Sequence, residues 1–216
     1  MGALAFVLRP VVRRLMRRVY DQRVTQFAEL PVVDGGVVFL GDSITEGGCW
    51  SEFLPELPVR NRGISGDTTQ GVLDRLDQVT RCRPNKLFVL IGTNDLGNGI
   101  PQRNITKNVA TLIDTVRRDS PGTRVYLQAV FPRAKRYSAR LQRLNAAYRE
   151  LAADRGVTFI DLWSVLADER QEIRGEFSND KLHLTGPGYR VWVDALRPYV
   201  LDASDEPKAP DLFISS

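Results

Sequence analysis

Three short runs of β-forming residues, each ending in small polar residues, constrain this chain more than any other feature. Val37-Val38-Phe39-Leu40 breaks into Gly41-Asp42-Ser43, and Pro58-Val59-Arg60 into Asn61-Arg62-Gly63-Ile64-Ser65-Gly66-Asp67. Lys86-Leu87-Phe88-Val89-Leu90-Ile91, the most strand-like run, breaks into Gly92-Thr93-Asn94-Asp95. Apolar runs of this length read as buried strands, with turns or helix starts after them. Helices are expected over 104–118, closed by Ser120-Pro121-Gly122, and over 136–155, with Leu141, Leu144, Ala147, Tyr148 and Leu151 inward. Two further strands are expected at 124–130 and 157–160, a helical or irregular passage at 161–179, and a last helix at 188–201. Strands alternating with helices imply a parallel sheet with right-handed crossovers. A length of 216 residues suits a single α/β domain.

Parallel sheets bind ligands beyond the carboxyl ends of their strands, so residues closing these runs converge on one crevice. Ser43 stands at a strand-to-helix turn, where the backbone N–H groups favour negative charge; its plainer role is a helix N-cap. The glycines of 61–67 let backbone N–H groups approach a ligand. The Asn94 amide can donate to an oxyanion, though asparagine also serves as a turn residue. His183 is the only histidine, and Asp180 lies three residues before it, close enough to hold one imidazole nitrogen and leave the other for a serine. A Walker loop and a Gly-x-Ser-x-Gly elbow are absent, no dinucleotide fingerprint opens the sheet, and Cys49 and Cys82 lack zinc spacing. No metal or organic cofactor is implied.

Taken in order, these blocks resemble the SGNH (GDSL-type) hydrolase family over about residues 37–199. Gly41-Asp42-Ser43-Ile44 matches the first block, with isoleucine in place of the usual leucine. Asn61-Arg62-Gly63 supplies the second, Gly92-Thr93-Asn94-Asp95 the third and Asp180-x-x-His183 the last. The extended forms 41–47 and 61–69 resemble the branch of platelet-activating factor acetylhydrolase catalytic subunits and their bacterial relatives. The resemblance implies a three-layer, flavodoxin-like, doubly wound sheet of five parallel strands with helices on both faces. It also implies a carboxylic ester hydrolase with an acyl-enzyme on Ser43. His183 would then be the base, Asp180 its orienter, and the backbone of Ser43 and Gly63 with the Asn94 amide the oxyanion hole. Asp42, Arg62 and Asp67 border the site and are expected to meet substrate; the alternatives are turn anchors and, for Arg62, a structural salt bridge. Trp50 and the 67–69 and 131–137 loops are expected to form the pocket wall. Short acyl groups on a hydroxyl-bearing leaving group are the preferred substrate; lysophospholipase, thioesterase and acyltransferase chemistry use the same residues. A non-catalytic binding protein is disfavoured, because every catalytic position is filled.

The net charge of +4 does not imply a nucleic-acid partner. Arg9, Arg13, Arg14, Arg17, Arg18 and Arg23 against Asp21 and Glu29 carry all of it within the first thirty residues, and the rest of the chain is balanced. The chain thus divides into a basic amphipathic helix at 1–30, a hydrolase domain at 31–201 and a polar tail at 202–216. The helix spaces Leu8, Val12, Leu15 and Val19 along one stripe. It could lie on an anionic membrane surface, but packing on the domain is preferred because Tyr20 and Phe27 extend the stripe. No signal peptide or membrane-spanning run is evident, and two distant cysteines suit a reducing cytoplasm. A dimer is left open.

Overall fold

A computed structural model describes residues 2–202, with side chains from residue 14 onward except Met16; the expected tail at 203–216 lies outside the described residues. Five parallel strands form one sheet: β1 (Val37–Gly41), β2 (Val59–Gly63), β3 (Lys86–Leu90), β4 (Arg124–Gln128) and β5 (Thr158–Ile160). Their spatial order is β2-β1-β3-β4-β5, the doubly wound, flavodoxin-like order. The order of connections reverses at β1, so the carboxyl ends of β1 and β3 flank the crevice in which such sheets hold ligands. Registers pair Gly41 with both Gly63 and Leu90, which brings the ends of the three strands level.

The helices in chain order are α1 (Gly2–Glu29), α2 (Ser43–Glu46), α3 (Trp50–Phe53), α4 (Thr69–Asp74) and α5 (Asp77–Thr80). They continue with α6 (Thr93–Gly97), α7 (Gln102–Asp119), α8 (Lys135–Asp154), α9 (Trp163–Leu166) and α10 (Gly186–Val200). Strand residues alternate between two faces. Val38, Leu40, Leu87, Val89 and Leu127 pack with Val72, Ile105, Val109, Leu112, Leu144 and Tyr148 of α4, α7 and α8. Val37, Phe39, Phe88, Leu90 and Tyr126 face the other layer, where Phe39 stacks on Trp50 at 3.8 Å and Trp192 of α10 meets Trp50 edge-on. The strand expected to stop at Arg60 runs on to Gly63. The Asn61 amide donates to the carbonyls of Thr45, Glu46 and Gly48, so a polar residue is satisfied within an edge strand. The passage at 161–179 holds α9, an Ala167–Ile173 bridge and a single 3₁₀ turn, Gly175–Phe177.

Among the described residues, α1 meets the domain through its last turns. Phe27 is buried, Tyr20 donates to Asp67 Oδ1 at 3.2 Å, and Arg81 donates to the carbonyls of Phe27 and Ala28. The expected apolar stripe is not packed throughout: Leu15 and Val19 are 59% and 47% exposed, while Leu8 and Val12 fall among residues whose side chains are not described. The amphipathic spacing thus extends beyond the stretch that meets the domain. Among the described residues, no helix is long and apolar enough to cross a membrane.

Candidate active site

β1 delivers Ser43 to the crevice. Asp42 caps α2 by accepting from the Ile44 N–H at 3.0 Å, which leaves Ser43 as the first helical residue. His183 comes from the irregular segment before α10. There Asp180 closes a tight turn: its Oδ1 accepts from the N–H groups of Leu182 at 2.9 Å and His183 at 2.8 Å. The turn places Lys181 at φ +62. Asp180 Oδ2 is then free for the imidazole Nδ1 at 2.7 Å, and Nε2 lies 2.9 Å from Ser43 Oγ. The three-residue spacing read from the sequence therefore builds a continuous path from carboxylate to imidazole to hydroxyl. Burial opposes ionisation of Asp180, but hydrogen bonds from the His183 ring and from the His183 and Leu182 N–H groups outweigh it and bring the pKa to about 2. An ionised Asp180 holds the proton on Nδ1 and turns a bare Nε2 toward the serine.

The hydrogen-bond donors differ from expectation. Asn94, in the first turn of α6 beyond β3, donates through Nδ2 to the Asp67 carbonyl at 2.8 Å, which orients the amide and leaves its second hydrogen available. Gly63 does not fit the role expected of it. Its N–H donates to Asn61 Oδ1 at 2.8 Å, and a Cβ on it would stand 2.2 Å from the Glu46 nitrogen. Gly63 is where β2 abuts α2. Three residues on, Gly66 is exposed at φ +79 with open space around its Cα, and its N–H has no acceptor among the described residues. The neighbouring N–H groups are taken: Ser65 donates to Glu46 Oε2 at 2.9 Å and Asp67 to the Ile64 carbonyl at 3.1 Å. Gly66 therefore offers the free donor of this loop, beside the Asp67 carbonyl that holds Asn94. Its glycine at a left-handed turn was the available signal, but sequence alone does not distinguish it from Gly63.

Behind the serine lies a buried polar layer, and it corrects the expectation that Asp42, Arg62 and Asp67 meet substrate. All three are buried. Burial and the charges of Asp67 and Asp95 raise the Asp42 pKa to about 7, against the lowering effect of the Ile44 N–H and His183. Its Oδ2 has no hydrogen-bond partner among the described residues. Arg62 lies over the Phe27 ring at 4.8 Å and donates to the Asn61 carbonyl, and among the described residues no carboxylate forms a salt bridge with it. Asp67 is paired with Arg75, which the sequence did not single out. Arg75 Nε and Nη2 lie 2.8 and 2.7 Å from Asp67 Oδ2, and Nη2 also reaches the carbonyls of Arg62 at 2.9 Å and Gly41 at 3.3 Å. One guanidinium thus ties together the carboxyl ends of β1 and β2. Asp95 accepts from the Thr69 N–H and, at 2.6 Å, from the Thr69 hydroxyl, which fixes the start of α4. Trp50 is also core rather than pocket wall, because Phe39 and Trp192 enclose it. Cys49, just after the serine turn, is exposed. Among the described residues, no group of three or more His, Cys, Asp or Glu side chains is placed to hold a metal ion.

Known proteins resemble this chain in sequence and in fold. The model of the GDSL-like lipase/acylhydrolase family matches residues 39–191. Platelet-activating factor acetylhydrolase IB subunit alpha1 of Bos taurus is 30% identical over 175 residues, which cover 76% of this chain and 75% of that protein. A solved structure from Streptococcus pneumonia, described as a candidate platelet activating factor, is 28% identical with a TM-score of 0.82, covering 93% of this chain and 100% of that one. A GDSL-like lipase from Bacteroides thetaiotaomicron shares the fold, at 24% identity and a TM-score of 0.76 over 85% of this chain and 98% of its own. The chain belongs to the GDSL-like lipase/acylhydrolase family and is an ester-cleaving hydrolase.

Proposed function

We propose that this protein hydrolyses carboxylic esters through an acyl-enzyme on Ser43, removing short acyl groups from a hydroxyl-bearing substrate. The observation that carries the reading is the unbroken path from Asp180 through His183 to Ser43 Oγ, at 2.7 and 2.9 Å. Ser43 Oγ attacks the acyl carbon while His183 Nε2 takes its proton. The oxyanion of the tetrahedral intermediate accepts from the Ser43 and Gly66 N–H groups and the Asn94 amide. As it collapses, the bond to the leaving oxygen breaks and His183 returns the proton to the departing alcohol. Water, deprotonated by the same nitrogen, then attacks the acyl carbon and frees Ser43 as the carboxylic acid leaves.

Support for short acyl groups comes from the acetylhydrolase relatives. The side chains of Asp180 and His183 are about half exposed. A cavity of about 1000 Å³ beside the site lies between α1 and the 65–75 segment, and Ser43 and His183 do not line it. Two free cysteines suit a reducing cytoplasm. Initial rates on aryl esters from acetyl to decanoyl test the reading. Each methylene buried in a long tunnel would add about 0.8 kcal/mol of binding, so kcat/KM would climb through octanoyl and beyond. A closed pocket gives a maximum between acetyl and butyryl. A steady climb would favour the lipid-directed alternative, in which the exposed Leu15 and Val19, set among Arg14, Arg17 and Arg18, bring α1 to an anionic membrane.

A further inference from the structure

On the strand end next to Asn94 stands a cation without a counter-ion. The chain leaving β4 passes through buried Phe131 and Pro132 and sets half-buried Arg133 against the start of α6. Arg133 Nη1 lies 3.4 Å from the Thr93 carbonyl and 3.3 Å from Thr93 Oγ1, one residue before Asn94. Its guanidinium lies over the Tyr137 ring at 4.2 Å, and Arg136 lies over the same ring at 4.9 Å. Among the described residues no carboxylate is within ion-pair distance of Arg133, and its Nε is buried without a protein acceptor. Burial lowers its pKa; Asp42 and Asp180, at the base and rim of the serine site, are the carboxylates whose charge it senses.

A half-buried cation left unpaired destabilises a fold unless something offsets its lost hydration. The fully buried arginine near the strand ends has such an offset. Arg75 is neutralised by Asp67, whereas Arg62, like Arg133, has an aromatic ring over it and no carboxylate among the described residues. Arg133 instead borders the crevice, with its planar fork braced by an aromatic ring and one edge on the turn that carries Asn94. That fork matches the two oxygens of a carboxylate or phosphate.

Building on the esterase reading, we infer that Arg133 is a specificity residue that binds a negatively charged group, carboxylate or phosphate, carried by the ester substrate beside the bond that Ser43 attacks. Matched esters test this. A butyryl ester against the hemisuccinyl ester of the same alcohol places a carboxylate on the acyl side. Acetylated glycerol against acetylated glycerol phosphate places a phosphate on the leaving side.

The wild type is expected to favour the charged member of one pair by about 10- to 100-fold in kcat/KM at low salt, the usual worth of a charge-assisted contact. Added salt should shrink the preference. In Arg133→Ala the charged-to-neutral ratio falls toward one, Arg133→Lys retains part of it, and Arg133→Glu takes it below one. The pair that responds identifies the side of the ester that carries the charge. No preference in either pair, or a preference that survives Arg133→Ala, overturns the anion site while leaving esterase activity standing. A folded wild type that cleaves none of the four esters overturns the esterase reading as well.

Discussion

The residues that face substrate and the residues directly behind them solve opposite problems. Asp180 and His183 are about half exposed and make few contacts beyond their own turn. Asp42, Asp67, Arg75 and Asp95 are at most 2% exposed and, apart from Asp42 Oδ2 and Arg75 Nη1, have their polar side-chain atoms engaged. The exposed set keeps atoms free for proton transfer. The buried set uses its hydrogen bonds on backbone: the ends of β1 and β2 through Arg75, the start of α4 through Asp95, and the start of α2 through Asp42. A charged residue beside an active site is therefore not for that reason a substrate ligand. Changes in front should remove activity and spare the fold, whereas changes behind should weaken the fold.

The largest effect is expected at Ser43. Ser43→Ala should lower ester turnover by a factor of about 10⁴ to 10⁶ and leave the melting temperature nearly unchanged. Near-normal activity in a folded Ser43→Ala protein would break the comparison from the front. From behind, Arg75→Ala should cost about 3–5 kcal/mol of stability in urea unfolding, because it strands Asp67 and removes the fork that bridges the Gly41 and Arg62 carbonyls. Arg75→Lys should restore little, since one ammonium cannot replace the fork.

Asp42 sharpens the comparison through pH. Its pKa is about 7 in the fold against 3.8 for an ordinary aspartate, so the folded state holds a proton that the unfolded chain releases. Between about pH 4 and 7, stability should fall as pH rises, then level off above pH 7. The total is on the order of 4 kcal/mol. Asp42→Asn keeps an acceptor for the Ile44 N–H and cannot ionise, so the slope in this window should flatten. Asp180 works in the opposite sense at lower pH: its stabilising contribution is lost as pH falls from 3.8 toward 2. An unchanged slope in Asp42→Asn would mean that Asp42 ionises normally.

A smaller change is expected at Asn94. Asn94→Ala should reduce kcat by ~10²–10³, the usual loss for one oxyanion donor, with little change in KM. A rise in KM alone would make Asn94 a ground-state binding group.

The sequence showed the strands with unbroken apolar runs, β1 and β3, and the Asp180–His183 turn, because those signals are local. β2 was cut short because Asn61 and Arg62 look like loop residues; their partners on α2 and Phe27 lie 15 or more residues away. The same distance effect hid Arg75, whose importance comes from reaching carbonyls on two strands. It also misled the reading of Gly63 and Gly66, two glycines three residues apart, of which the first ends β2 with its N–H used and the second turns outward with its N–H free. Periodicity shows which residues turn inward along one element, not what meets them there.

The central claim, that the chemistry passes through an acyl group on Ser43, is tested most directly by trapping that group. Rapid acid quench of the wild type during turnover of an aryl acetate, followed by intact-mass analysis and peptide mapping, should show one acetyl group located on Ser43. The adduct should form in Asn94→Ala more slowly and be absent in Ser43→Ala. Ester hydrolysis with no adduct at any time point, or an acetyl group mapped to another residue, would contradict it.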